Sequence, residues 1–203
     1  MKYPVAIAAL LLAMSSGAGF AADPRYPDWP CAQAKVPEIS LAAVWAGPPL
    51  DEIGSKWQDD PKVDALVPLL AARKIPLDQA EQKITDFLAS PATDKTHAGK
   101  LLFAGLFDTL NAERSSVLNG LERITRKQRD AADKIRSDAD GLRALQDATP
   151  PDQAKIDELN NQLTWETRIF EDRRRVIKFV CEVPTAIDQR LFGLGRVIQQ
   201  EME

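Results

Sequence analysis

Two long stretches of this chain repeat apolar residues at alternating spacings of four and three, and this pattern constrains the fold more than any other feature. The stretches cover positions 103–145 and 156–198. Such spacing lines one face of an α-helix with apolar side chains and predicts packing against a second helix. Only a few members of these two seams are not apolar, namely Arg114, Gln128, Asp138, Glu166, Arg173 and Pro184.

The segment between the two seams predicts a tight turn. It reads Thr149-Pro150-Pro151-Asp152, with prolines that end one helix and an aspartate that suits the start of the next. Two helices joined by a short connection pack antiparallel. Folding the chain about this turn predicts that Ile135 faces Leu163 and that Leu121 faces Ile177.

The predicted fold class is all-α. It consists of a long antiparallel helical hairpin, coiled-coil-like at its turn end, with several short N-terminal helices packed at its base and one disulfide. Near its open end the hairpin has a wider apolar face, which needs a third packing partner. The apolar residues that flank the seam there are Leu102, Leu106, Leu118, Ile169, Val176 and Val183. The N-terminal half supplies that partner and contains Trp29, Trp45 and Trp57. The predicted segments are an extended proline-rich stretch at 23–37, the short-helix base at 38–90, long helix 1 at 94–148, and long helix 2 at 151–203, kinked or restarted near Pro184.

Residues 125–165 keep little more than the seam itself. We therefore expect the turn end to project from the base as a two-helix arm.

The first 22 residues have the layout of a Sec-type signal peptide. Lys2 precedes an apolar core at 5–14, and small residues follow it up to Asp23. We expect cleavage after Ala21 or Ala22 and a periplasmic location in a bacterium. No later apolar run is long enough to cross a bilayer, so we do not expect an integral membrane protein.

The chain has two cysteines, Cys31 and Cys181. An even and minimal cysteine count in an exported chain predicts one disulfide, and two separate buried thiols are the alternative. This bond pins the proline-rich segment to the late helical part of the hairpin.

No residue pattern predicts catalysis, a cofactor or a metal site. The single histidine, His97, lies near the start of long helix 1 without a motif around it. Gly193 and Gly195 lie in a helical pattern, where we expect Gly193 to face Gly105 and to allow close helix approach. The formal net charge of −4 argues against binding nucleic acid.

Two basic runs, at 123–129 and 173–178, lie opposite each other in the predicted hairpin. Together they form a positive band halfway along it, which we call the basic band. The band indicates a docking site for an anionic partner, either lipid head groups or an acidic protein. The alternative is a solvated face neutralised by Glu122, Asp130, Glu171 and Asp172. Trp165 lies outside the seam on the arm, either as an interface residue or as a cap over the neighbouring helix. The candidate interaction residues are Trp165, Ile169, Arg123, Arg126, Lys127, Arg129, Arg173, Arg174, Arg175 and Lys178.

These features favour a periplasmic interaction or adaptor protein that is not an enzyme. The arm would contact another envelope protein or a second copy of the chain. The alternative is a module that binds a small ligand or lipid in the helical base. A third, weaker hypothesis is a carboxylate-dependent hydrolase, which needs two acidic side chains that converge in a cleft.

Overall fold

The computed structural model describes residues 23–90 and 94–203. The signal-peptide prediction concerns residues 1–22 and lies outside the described residues. Within the described ranges the chain forms helices and no β-strand. The helices are α1 (Leu41–Val44), a 3-10 helix (Gly54–Asp59), α2 (Pro61–Ala71), α3 (Leu77–Leu88), α4 (Lys95–Asp147), α5 (Gln153–Val180) and α6 (Val183–Met202).

Helices α4 and α5 form the antiparallel hairpin. The side-chain amide of Gln128 donates to the carbonyl of Phe170 at 3.0 Å, and Leu121 lies beside Ile177 as the register predicts. Helix α5 begins where the Asp152 carboxylate accepts from the backbone N–H of Lys155 at 3.2 Å. The predicted fold class, a long helical hairpin packed with shorter helices and closed by one disulfide, is confirmed.

The hydrophobic core lies in the base. Helices α2 and α3, the first part of α4 and helix α6 surround it. Trp45 stacks on Phe103 with ring centroids 4.1 Å apart. The indole of Trp57 is also buried, and its Nε1 donates to the Asp108 carboxylate at 3.0 Å. The short N-terminal elements therefore cover the part of the wide apolar face that contains Leu102 and Leu106 of α4, both fully buried, and leave Val176 of α5 exposed.

Two buried arginines tie the base together. Arg190 is only 8% exposed, and its guanidinium donates to the carbonyls of Leu70 at 2.7 Å and Ile75 at 2.9 Å. Arg114, a seam member, is 3% exposed and donates to Asp188 at 2.7 Å. Burying a guanidinium is costly unless it is hydrogen-bonded, and these bonds tie each arginine to the chain it contacts. Nη2 of Arg190 is buried without a hydrogen-bond partner among the described residues.

The predicted contact between Gly105 and Gly193 is wrong. A Cβ on Gly105 would lie 2.7 Å from Val67 and 2.9 Å from Trp57, whereas Gly193 faces Leu77. Helices α4 and α6 do pack against each other, with Phe103 beside Gly195, but Gly105 and Gly193 lie on faces of these helices that turn toward the short elements. Each glycine therefore accommodates a short element rather than the other long helix.

Candidate interaction surface

An N-terminal strap, residues 28–37, crosses the hairpin and is stapled to it. Cys31 and Cys181 form a disulfide with an S–S distance of 2.05 Å and Cα atoms 5.5 Å apart. Cys181 lies at the junction of α5 and α6, and its carbonyl accepts from the side-chain amide of Gln33. The predicted disulfide is confirmed, and it holds the strap where the two helices meet.

Further along the hairpin the strap neutralises part of the basic band. Asp28 pairs with Arg126 at 2.7 Å and also with Arg129. Lys35 pairs with Glu122 at 2.5 Å. The base thus extends one turn beyond residue 125, and the two helices are on their own only from about residue 130.

The carboxylates expected to neutralise the band do so in part. Asp172 pairs with Arg175, while Glu122 is taken by Lys35. Neither Asp130 nor Glu171 pairs with a cation of the described residues. Several band members make no ion pair with any residue that the structure describes. They are Arg123, Lys127, Arg173, Arg174 and Lys178.

The projecting arm comprises residues 130–169. Its only buried side chain is Ile156, and its hydrogen bonds and ion pairs are all internal to it. Lys134 bridges Asp138 and Glu166 across the two helices, at 2.6 Å to each. The hydrogen bond that Lys134 donates to Asp138 lowers the pKa of that carboxyl. The hydrogen bonds that Lys134 donates to Asp138 and then to Glu166 raise the pKa of the lysine. This exposed network sets the register of the arm but buries little apolar surface.

The three most exposed large apolar side chains of the described chain all lie on α5. Phe179 is 74% exposed, Trp165 is 64% exposed and Val176 is 59% exposed. At 100° per residue these positions and the half-buried Ile169 share one face of the helix. This α5 apolar stripe (Trp165, Ile169, Val176 and Phe179) turns away from the seam that faces α4. Trp165 therefore does not cap the neighbouring helix.

An apolar groove of about 440 Å³ lies beside the stripe. Its walls are Val117, Gly120 and Ile124 of α4 and Val176 and Val180 of α5. The side of the hairpin that carries this groove and the α5 apolar stripe is called the open side. The strap lies on the opposite side, where Pro30 and Arg129 share a second groove with Phe170 and Arg174.

A polar cleft of about 500 Å³ in the base contains His97. Three carboxylates, Glu52, Asp59 and Asp60, also line it. Asp60 is occupied in capping α2, because its carboxylate accepts from the backbone N–H groups of Lys62 at 2.8 Å and Val63 at 3.1 Å. Among the described residues, no cluster of three or more His, Cys, Asp or Glu side chains is arranged to bind a metal ion.

Sequence reasoning missed Val176 and Phe179 as surface residues and missed Asp28 as a partner of the band. The sequence places Val176 on the wide apolar face predicted to pack in the base, and the structure leaves it 59% exposed. The signal that could have identified the stripe is its helical spacing with Trp165, at intervals of four, seven and three. The ion pairs of Asp28 have no such signal, because the strap is irregular.

No protein-family model, curated protein or solved structure matches this chain. Across residues 23–90 and 94–203, no helix is both long and apolar enough to cross a membrane.

Proposed function

We propose that this protein is an exported, periplasmic interaction protein whose arm contacts another envelope protein or a second copy. The observation that carries the proposal is the arm itself, in which α4 and α5 extend beyond every other described element. From residue 130 to the end of α4 the extension is about 27 Å at 1.5 Å per residue. Such an extension adds little buried apolar area, so stability of the base does not require it.

The composition of the arm also supports a contact made and released rather than a permanent helix pair. Gln128 lies at the base of the arm and is buried in the seam, where its Oε1 has no hydrogen-bond partner. Asp138 and Glu166 occupy seam positions further out. Polar seam residues lower the stability of a coiled coil and fix its register. Trp165 adds a large exposed side chain of the type enriched at interface hot spots.

The disulfide supports an oxidising compartment as the place of action. Thiol–disulfide exchange in a reducing cytoplasm would open a bond of this kind. Export through the segment 1–22 is the simplest route, and intact mass of the purified protein tests it. A mature chain beginning at Ala22 or Asp23 is the expected result.

The base gives less support to the ligand-binding alternative. Trp45 and Trp57, which would have formed an apolar pocket there, are each only 7% exposed and occupied in core contacts. The cleft around His97 is polar, and one of its carboxylates is committed to a helix cap. For these reasons neither ligand binding nor carboxylate-dependent hydrolysis is proposed as the main activity.

Photo-crosslinking in cells that produce the protein tests the arm proposal. A photoreactive amino acid replaces Trp165 in one variant and Phe192 in a matched control, since Phe192 is an exposed aromatic residue on the base. We expect a discrete crosslinked species from position 165 and none of the same mass from position 192. Crosslinks of equal yield from both positions would contradict the proposal.

A shortened protein provides the second test. Joining residue 128 to residue 170 through a short turn removes the arm and leaves the base core and the disulfide intact. Circular dichroism and thermal melting verify that the base is folded. Excess intact protein should compete away the crosslinked species, and excess shortened protein should not. Equal competition by both proteins would place the contact on the base.

A further inference from the structure

We infer that the open side of the hairpin binds the surface of an anionic lipid bilayer. This surface begins on the arm at Trp165 and Ile169, runs along α5 toward the disulfide, and includes the part of α4 below residue 128. The inference goes beyond the proposed arm contact and does not depend on it.

The first step is the exposure of the α5 apolar stripe. Phe179, Val176 and Trp165 protrude into solvent on one face and span 14 residues, which is about 21 Å along the helix. The strap covers only the opposite side of the hairpin and leaves this one bare. Exposed apolar side chains gathered on one face indicate a contact surface rather than scattered surface variation.

The second step is the charge around the stripe. The guanidinium of Arg123 lies beside Gly120, 3.8 Å from the position of an added Cβ, and Arg173 lines the same groove. Lys127 and Arg168 fall on the edges of the same side by helical spacing. Within the described residues none of these four cations has an ion-pair partner. The carboxylate of Asp172, which also lines the groove, is paired with Arg175.

The third step is the match to a bilayer interface. A helix that lies on a membrane has tryptophan and phenylalanine on one face and arginine or lysine at its flanks. Tryptophan prefers the level of the head groups, and each cation near an anionic surface adds to the attraction. The described chain combines these features on the open side of the hairpin, although its net charge of −4 is unfavourable.

A second copy is a poorer match to this surface. Antiparallel pairing of two stripes about Asp172 would bring Arg168 of one copy beside Arg175 of the other. Like charges at such positions oppose association. A folded protein partner would need a recess for each protruding ring, whereas the interface of a bilayer admits them without a matching shape.

Vesicle sedimentation tests the inference. The exported, purified protein is mixed with vesicles of phosphatidylcholine alone, or of phosphatidylcholine and phosphatidylglycerol in equal parts. We expect binding to the anionic vesicles, with a blue shift of Trp165 fluorescence and quenching by brominated lipid. Binding should weaken as salt is raised. Equal binding to both kinds of vesicle, or no binding to either, would overturn the inference.

Two charge variants of equal net charge locate the surface. Arg123→Gln with Arg173→Gln removes cations from the open side, and we expect about a 25-fold weaker partition, at about fivefold for each cation. Arg136→Gln with Arg143→Gln removes cations that helical spacing places on the opposite edge of α4. The vesicle partition of this control variant should differ from that of the parent by at most about fourfold. Equal losses in the two variants would show attraction by net charge alone and would refute the assigned surface.

The apolar contribution is tested in the same way. Val176→Ser with Phe179→Ser should weaken binding by at least about tenfold, and Phe192→Ser on the base should leave it unchanged. Because all three side chains are exposed, each variant is expected to fold, and circular dichroism checks this. A second result would overturn the inference. If the parent protein formed dimers and did not bind vesicles, and the Val176→Ser, Phe179→Ser variant were monomeric, a second copy would cover the stripe.

The shortened protein separates this inference from the arm proposal. It lacks Trp165 and Ile169 but keeps Phe179, Val176 and the cations at 123 and 173. We expect it to bind anionic vesicles within about tenfold of the intact protein while it fails to compete for the arm partner. Complete loss of vesicle binding would place the lipid contact in the arm and overturn the assignment to the open side.

Discussion

Replacing Gly195 with alanine should destabilise the base, because the structure leaves no room for a methyl group there. The added Cβ would lie 2.7 Å from a ring carbon of Phe103 and 2.8 Å from the carbonyl oxygen of Val44. Phe103 cannot withdraw easily, since it is fully buried and stacked on Trp45. The carbonyl belongs to the backbone and has no alternative rotamer. Helix α1 must therefore move away from α6.

The magnitude follows from two opposing effects. Overpacking a core costs about 1–3 kcal/mol, and a clash with backbone belongs at the upper end. Alanine in place of glycine inside a helix stabilises the folded state by about 1 kcal/mol, which offsets part of this cost. The free energy of unfolding should therefore fall by about 2 kcal/mol. Gly120→Ala is the matched control, because its Cβ would meet only the flexible end of Arg123, at 3.8 Å. The free energy of unfolding of this control should rise by up to about 1 kcal/mol.

Thermal melting followed by circular dichroism measures both variants. For a chain of this size we expect Gly195→Ala to melt about 4–8 °C lower and Gly120→Ala about 2–4 °C higher than the parent. Gly105→Ala and Gly141→Ala provide a second pair, with close contact to Val67 and Trp57 for the first and an ordinary van der Waals contact with Leu159 at 3.8 Å for the second. If Gly195→Ala were as stable as Gly120→Ala, the close approach of α1 to α6 would be refuted.

Three further predictions follow from the same structure. Mass spectrometry should find Cys31 and Cys181 bonded, and two free thiols in otherwise native protein would contradict this. Replacing both cysteines with serine should lower the free energy of unfolding by about 5 kcal/mol, because the bond links residues 150 positions apart. Hydrogen exchange should be fastest, among helical amides, in residues 130–169, and protection equal to that of the base would show a third partner on the arm. Burial raises the pKa of Asp188, while the charge and hydrogen bond of Arg114 oppose the rise. The pKa of Asp188, measured by carbon NMR, should therefore be still higher in Arg114→Gln, and an unchanged or lower pKa would contradict the ion pair.

The hairpin was predictable because its information is local and periodic. A seam that keeps its phase for many turns defines a helix, the proline-rich turn defines its partner, and together they place Leu121 beside Ile177. The disulfide was predictable for another reason, because two cysteines allow only one pairing. These predictions required no knowledge of how the base is packed.

The contacts of irregular segments could not be predicted in this way. Arg114 interrupts the seam and looks like a solvent-exposed break, yet it is buried against Asp188 and the carbonyl of Val36. Asp28 pairs with two arginines across about 100 positions of sequence, from a segment without periodicity. Such partners depend on the path of the strap, which the disulfide and the prolines restrict but do not specify.

The strap also explains why exposed apolar side chains and unpaired cations occur together on the open side. Its acidic residue, Asp28, neutralises Arg126 and Arg129, and its disulfide holds it against the opposite side of the hairpin. A strap on both sides would have covered the groove beside Val176 and completed the fold. The structure instead fixes one side permanently with a covalent bond and leaves the other with aromatic residues and arginines in water. Exposed apolar side chains gathered beside unpaired cations on one side of a stapled base are the reason for which the bilayer contact is inferred for this side and not for the strap side.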